Sequence, residues 1–187
     1  MSNTLARPSI RTLSLLGFAG LTYAAIASAA LSGVGESKVQ FEAVGPGGLK
    51  IEGEGTSLSA SETAGTLKVS ASLTGLKTGI SLRDEHLQKA INASKHPNAT
   101  LEVSRSALKF PEDNKSVQSG AVGKFTLNGT TKDVKFGYKV ERTGSDYHVQ
   151  GLATIDITQF NLEKPCYLGV CVDKDVKVKV KFKLREQ

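Results

Sequence analysis

The stretch "SLRDEHLQKAINASKHPNATLEVS", residues 81–104, carries the densest run of side chains able to do chemistry. Arg83, Asp84, Glu85 and His86 stand together in it, with His96 further on. Acid–base or nucleophilic catalysis needs a reacting pair held in fixed geometry, and adjacency in sequence does not supply that. Asp84 and His86 are two apart, so on a helix they point to different faces. An enzyme built on Arg83, Asp84 and His86 therefore needs a further polar group converging from another segment. His86, His96 and His148 show no metal-ligand spacing and neither cysteine sits beside a histidine, so no metal site is expected. Two roles remain for the cluster. In the structural one, Asp84 caps the helix or favours its first amides, while Arg83 pairs with an acid or with strand carbonyls. In the functional one, Arg83 with His86 nearby lines a pocket mouth, and the guanidinium fork holds a polar or phosphorylated head group.

Around that run the chain has the pattern of an exported all-β domain. Arg7 and Arg11 precede the apolar run "LSLLGFAGLTYAAI", and Ala27-Ser28-Ala29 supplies a small-residue cleavage pattern. Residues 1–29 are therefore expected to be a signal peptide cut near Ala29, which places the remainder in the periplasm or outside the cell. A membrane anchor is the competing reading, but about 20 apolar residues are needed to span a bilayer, and this run is shorter and holds Gly17, Gly20 and Thr22. Of the 187 residues, 158 then remain as one domain, 30–187. The formal charge of +6 falls to +4 once the two arginines are removed. With no Trp and no basic patch interleaved with aromatics, nucleic acid is not expected as a partner. Cys166 and Cys171, in "PCYLGVC", read as a structural disulfide, since redox motifs use C-x-x-C and haem attachment needs C-x-x-C-H.

Most of that domain alternates apolar and polar residues, the mark of antiparallel strands with one buried face. "DVKVKVKFKL" is the clearest case: Val176, Val178, Val180, Phe182 and Leu184 alternate with Lys177, Lys179, Lys181 and Lys183. The same rhythm gives Phe41 in "KVQFEAV", Val69 in "TLKVSASL", and Leu101 with Val103 in "ATLEVS". It continues with Phe125 in "GKFTLNG", Phe136 and Tyr138 in "DVKFGYKV", and Ile155 in "YHVQGLATIDI". "GPGG" at 45–48, Asn128-Gly129 and "RTGSD" at 142–146 supply turns. Eight or nine strands result, which suits a sandwich or a closed barrel. Leu87, Ala90 and Ile91 share one face of a helix predicted over 84–93, which Asn92–His96 and Pro97 end. Such a helix commonly covers an open end of the sheet.

The ordered landmarks "LRDEHL", "KHPNATLEVS", "VGKFTLNGTTKDVKF", "GLATIDITQFNL" and "VKVKVKFKL" resemble the YceI-like family of exported lipocalin-like, polyisoprenoid-binding proteins, over about residues 38–184. The resemblance implies an extended antiparallel barrel of eight strands, a short helix covering one end, and a long apolar channel. Arg83 and Asp84 match the family's Arg-Asp pair, and Pro97 its Tyr-Pro landmark with His96 in the aromatic position. The Cys166/Cys171 pair is a departure that could reshape the loop at one mouth. An isoprenoid lipid or a quinone is the bound molecule the resemblance implies, with no other cofactor.

An eight-stranded barrel is just wide enough to fill with side chains or to hold one ligand. The inward set mixes Phe41, Phe125, Phe136, Tyr138 and Phe182 with Ala43, Ala71, Ala99 and Ala153, and alternation does not distinguish the two outcomes. A hollow lumen walled by Phe41, Val69, Leu101, Val103, Phe125, Phe136, Tyr138, Ile155, Val180 and Phe182 predicts a non-catalytic carrier, since each CH₂ removed from water gains about 0.8 kcal/mol. A filled lumen predicts a surface-acting binding or inhibitor module. Its candidate surface is the lysine ladder, which otherwise serves to protect a sheet edge and could also meet anionic lipid in transient membrane contact.

Overall fold

The structure, a computed structural model, describes residues 29–167 and 170–187. The signal-peptide reading falls almost wholly outside these. Eleven strands occur in chain order: β1 (Leu31–Val44), β2 (Lys50–Gly55), β3 (Leu58–Thr63), β4 (Thr66–Ser72), β5 (Asn98–Ser104), β6 (Ser116–Leu127), β7 (Thr130–Thr143), β8 (Asp146–Asp156), β9 (Cys166–Tyr167), β10 (Val170–Cys171) and β11 (Asp175–Glu186). One helix, α1 (Ser81–Ala90), lies between β4 and β5.

The strands make an eight-stave closed barrel. Neighbours pair antiparallel from β3 through β8 and on to β11, which returns to β1. β2 and β3 together face successive parts of β1, from Val44–Lys50 to Ser32–Ser61, so they act as one interrupted stave. β1 changes register against β11 between Val34 and Lys38, where Gly35 takes a left-handed φ of 68°. β9 and β10 form a separate two-stranded hairpin, clamped by the Cys166–Cys171 disulfide.

Short turns fix the register of the longest staves. Asn128 (φ 49°) and Gly129 (φ 72°) are both left-handed, as a two-residue hairpin turn between β6 and β7 requires. The His96 ring lies over Gly129, so a Cβ there would stand 2.8 Å from its Cε1. Asn128 also donates to the carbonyls of Phe160 and Asn161, and accepts from Asn92 at 3.1 Å. The turn thus ties three segments together.

The barrel packs solidly at its two ends. At one end Leu31, Leu67, Val103, Tyr138, Tyr147, Phe182 and Leu184 form a buried cluster. Phe110 meets Tyr147 edge-on at 5.4 Å, and Arg105 lies over Phe110 while binding Glu62 at 2.6 Å. The Tyr138 hydroxyl accepts from the Lys109 amide, and Tyr147 donates to Glu186. Aromatic packing under a satisfied polar network seals this end. At the other, Val39, Leu73, Leu76, Ala93, Ala99, Leu127, Ile155, Phe160 and Leu162 pack beneath α1.

The helix begins three residues earlier than its apolar spacing predicts and ends at Ala90 rather than Ala93. Asp84 is not its cap. The N-cap residue is Ile80, which has no side-chain cap bond, and Asp84 sits in the first turn. Asn92, at φ 54°, stops further winding before Pro97 is reached. No α1 residue is fully buried: Leu87, with Ile91 just past the helix, packs against the cluster and also lines the cavity beneath.

Phe41 is seated opposite Gly53, where a built Cβ would lie 2.4 Å from the ring and 2.8 Å from the Lys77 carbonyl. Gly53→Ala is expected to cost about 1–3 kcal/mol by overpacking. Gly137→Ala, with nothing within 4 Å, is expected to be neutral or to stabilise by about 0.5 kcal/mol. Urea or thermal unfolding of the two variants checks the difference.

Candidate functional site

A cavity of about 350 Å³ runs inside the barrel between the two packed ends, within the range of about 300–1,000 Å³ typical of ligand pockets. All ten residues predicted to face the lumen line it: Phe41, Val69, Leu101, Val103, Phe125, Phe136, Tyr138, Ile155, Val180 and Phe182. Val103, Tyr138, Ile155 and Phe182 are fully buried in the end clusters. Phe41, Val69, Leu101, Phe125, Phe136 and Val180 point inward yet are only half-buried. In a closed barrel an inward side chain keeps accessible surface only where the interior is empty. That half-burial decides between a filled and a hollow lumen in favour of the hollow one.

Small residues make the room. Ala71, Ala153 and Gly151 stand in the wall where larger side chains would meet across the axis. Gly151 is held to its size by Val180, whose Cγ2 would lie 2.8 Å from an added Cβ. The glycine interrupts the alternation between Val149 and Ala153, and an inward glycine in an otherwise apolar strand is the signal that could have located the void. Leu58, Leu108, Phe110 and Val149 also line it. Leu108 and Phe110 lie just past β5, where no alternation marks them.

The polar residues of the wall gather toward one mouth. Thr78, Arg83, His86 and Glu163 line the cavity there with Ala43, Ile51, Pro165 and Val172. The mouth is therefore framed by α1, the β1–β2 end and the disulfide hairpin. Val172 donates to the Pro165 carbonyl and Asp173 to that of Val44, which fixes the hairpin against β1. Lys174 binds Asp156 at 2.7 Å, and this bond with those from Thr158 lowers the Asp156 pKa to about 2.

Arg83 and Asp84 share one partner, which the sequence pattern did not reveal. The Asp84 carboxylate accepts from both the amide and the hydroxyl of Thr78, at 2.6 and 2.5 Å, and these bonds hold its pKa below the ordinary carboxylate value. Arg83 Nη2 donates to the Thr78 carbonyl at 2.8 Å. The sequence alternatives for Arg83 are an acid or strand carbonyls; the observed partner is a carbonyl, but of the loop residue Thr78. Arg83 Nε is buried without a hydrogen-bond partner, and no ion pair to Arg83 occurs among the described residues. His86 is exposed at the rim. Both Thr78 bonds fall on Asp84 Oδ1, and the geometry brings Arg83 and His86 to the mouth. Among the described residues no group of His, Cys, Asp and Glu could hold a metal ion.

Residues 33–184 match the model of the YceI-like domain. The chain belongs to the YceI-like family. It is similar to the UPF0312 protein ECA1782 of Pectobacterium atrosepticum, with 32% identity over 108 residues, 54% of this chain and 53% of that protein. The chain thus matches about half the length of that curated relative. Among solved structures, a polyisoprenoid binding domain from Saccharophagus degradans implicated in plant cell wall breakdown superposes with a TM-score of 0.73 at 17% identity. The alignment covers 85% of this chain and 99% of that domain. BcnA of Burkholderia cenocepacia gives a TM-score of 0.63 at 19% identity, over 79% of this chain and 95% of its own. At such identities the likeness establishes the lipocalin-like barrel, as the alternation and landmarks predict.

The Thr78–Asp84 contact makes the helix sensitive to acid. A carboxylate with a depressed pKa contributes its full stabilisation above the ordinary carboxylate range and loses it as pH falls through its lowered value. Amide protection over residues 81–91, relative to the intrinsic exchange rate, is therefore expected to fall below about pH 3.8, ahead of the barrel strands. Asp84→Asn is expected to bring the same loss of protection at neutral pH. Hydrogen exchange read by mass spectrometry separates the helix from the staves.

Proposed function

We propose that this chain is an exported carrier, periplasmic or secreted, that encloses a long apolar ligand in the barrel and performs no bond chemistry. The half-buried inward side chains around an empty waist are the observation that carries the reading. Burial in such a lumen gains about 0.8 kcal/mol per CH₂, and a long chain is nearly insoluble without a host. An isoprenoid lipid or a quinone fits the family and its polyisoprenoid-binding structural relative. Arg83 and His86 then meet the head group, with Arg83 offering a buried Nε that has no hydrogen-bond partner.

Native mass spectrometry and solvent extraction of the purified protein are expected to yield a stoichiometric lipid. A protein that comes empty and ignores added prenyl lipid or quinone sinks the proposal. Ala71→Phe, which fills the waist without altering the mouth, is expected to lower lipid retention at least tenfold and leave the melting temperature within a few degrees. Arg83→Leu is expected to weaken a prenyl phosphate more than the prenyl alcohol of the same length, with competition against a fluorescent lipid as the readout. Equal weakening of the two would remove Arg83 from the head-group role.

A further inference from the structure

The lysines of β11 lose their ordinary explanation once the barrel is closed. Alternating lysines protect an exposed sheet edge from pairing with another chain. β11 has no such edge: it pairs with β8 from Asp175 to Arg185 and with β1 from Glu42 to Leu31. The lysines are not neutralised by their neighbours either. Lys177 binds Glu42 at 3.2 Å, but Lys179, Lys181 and Lys183 have no ion-pair partner among the described residues. Lys181 stands directly opposite Lys38 on β1, an arrangement of like charges that destabilises a sheet.

Register extends this charge across the wall. The outward row through Lys179 continues to Leu152 on β8 and then Gly137 on β7, and the row through Lys181 continues to Gln150 and Lys139. On the β6 side Lys135 stands opposite Val122. Leu152 and Val122 are 50% and 51% exposed, so two large apolar side chains lie open among the lysines. The outward acids of these strands are Asp133, Glu141, Asp146, Asp156 and Asp175, of which the first four are bound by Lys124, Lys139, Arg185 and Lys174. Gly137 has empty space where a side chain would stand, and at the β1 border of the face Lys177 and Lys179 line a cleft with Glu42, Glu52 and Glu54.

We infer that the outer wall of β6, β7, β8 and β11 docks the barrel on an anionic bilayer surface. Unneutralised lysines supply attraction to lipid phosphates, each contributing near the membrane plane. Leu152 and Val122 supply apolar contact at the head-group boundary. The lysines and the open Leu152 and Val122 side chains lie on the convex outside of the barrel, which a deformable lipid surface can follow. The inference stands whether or not the lumen holds lipid.

The test is co-sedimentation of the purified protein with vesicles of phosphatidylcholine alone or with 30% phosphatidylglycerol, at 50 and 500 mM NaCl. Binding at least tenfold stronger to the anionic vesicles, and lost at high salt, is expected. Lys179→Gln/Lys181→Gln/Lys183→Gln is expected to weaken that binding about a hundredfold. Lys68→Gln/Lys95→Gln/Lys115→Gln, which removes equal charge elsewhere, is expected to leave it within about threefold. Lys181→Gln alone gives a smaller loss in the same titration and serves if the triple variant misfolds. Three results overturn the proposal: no preference for anionic vesicles, equal loss in both triple variants, or capture of soluble polyglutamate without binding to vesicles.

Discussion

Between Leu31–Glu186 and Glu42–Lys177 the first strand hydrogen-bonds to the last, and that seam turns a twisted sheet into a tube. Closure satisfies the backbone groups of both strands and leaves each side chain one of two places, inside or outside. The inside of an eight-stave tube is narrow, so residue size decides what remains empty. Large side chains fill the sealed end around Tyr147 and Phe182, while Ala71, Gly151 and Ala153 leave the waist open.

The mouth is organised by a smaller constraint. Thr78 occupies Asp84 through its amide and hydroxyl and Arg83 through its carbonyl. One residue thereby fixes the start of the helix and aims a cation at an apolar chamber. The helix is held by these polar contacts, by Gln88, which donates to the Leu73 carbonyl, and by Leu87 against the cluster beneath.

Alternation made the staves and the inward residues legible, because a period of two is a direct consequence of strand geometry. Every predicted lumen residue does line the cavity. What alternation omits is volume: Phe41 and Phe182 look alike in sequence and both line the cavity, yet Phe182 is buried in the sealed end and Phe41 is only half-buried. The Arg83–Asp84 pair was visible as a cluster, but Thr78 lies five and six residues upstream with no pattern to link it. The helix boundaries shifted for the same reason, since Asp84 reaches back across the first turn instead of capping it. The split of one stave into β2 and β3 was hidden by "EGEGTSLSAS", where glycines and serines blur the two faces.

The seam also governs how the barrel comes into being. Glu42 and Lys177 are 135 residues apart, so the outer edge of β1 stays unpaired until the final strand arrives. Contacts so distant along the chain make folding slow and late. Until that last stave arrives the apolar inner faces of the others stand uncovered, so the stretch of time before closure is when the chain is most prone to aggregate.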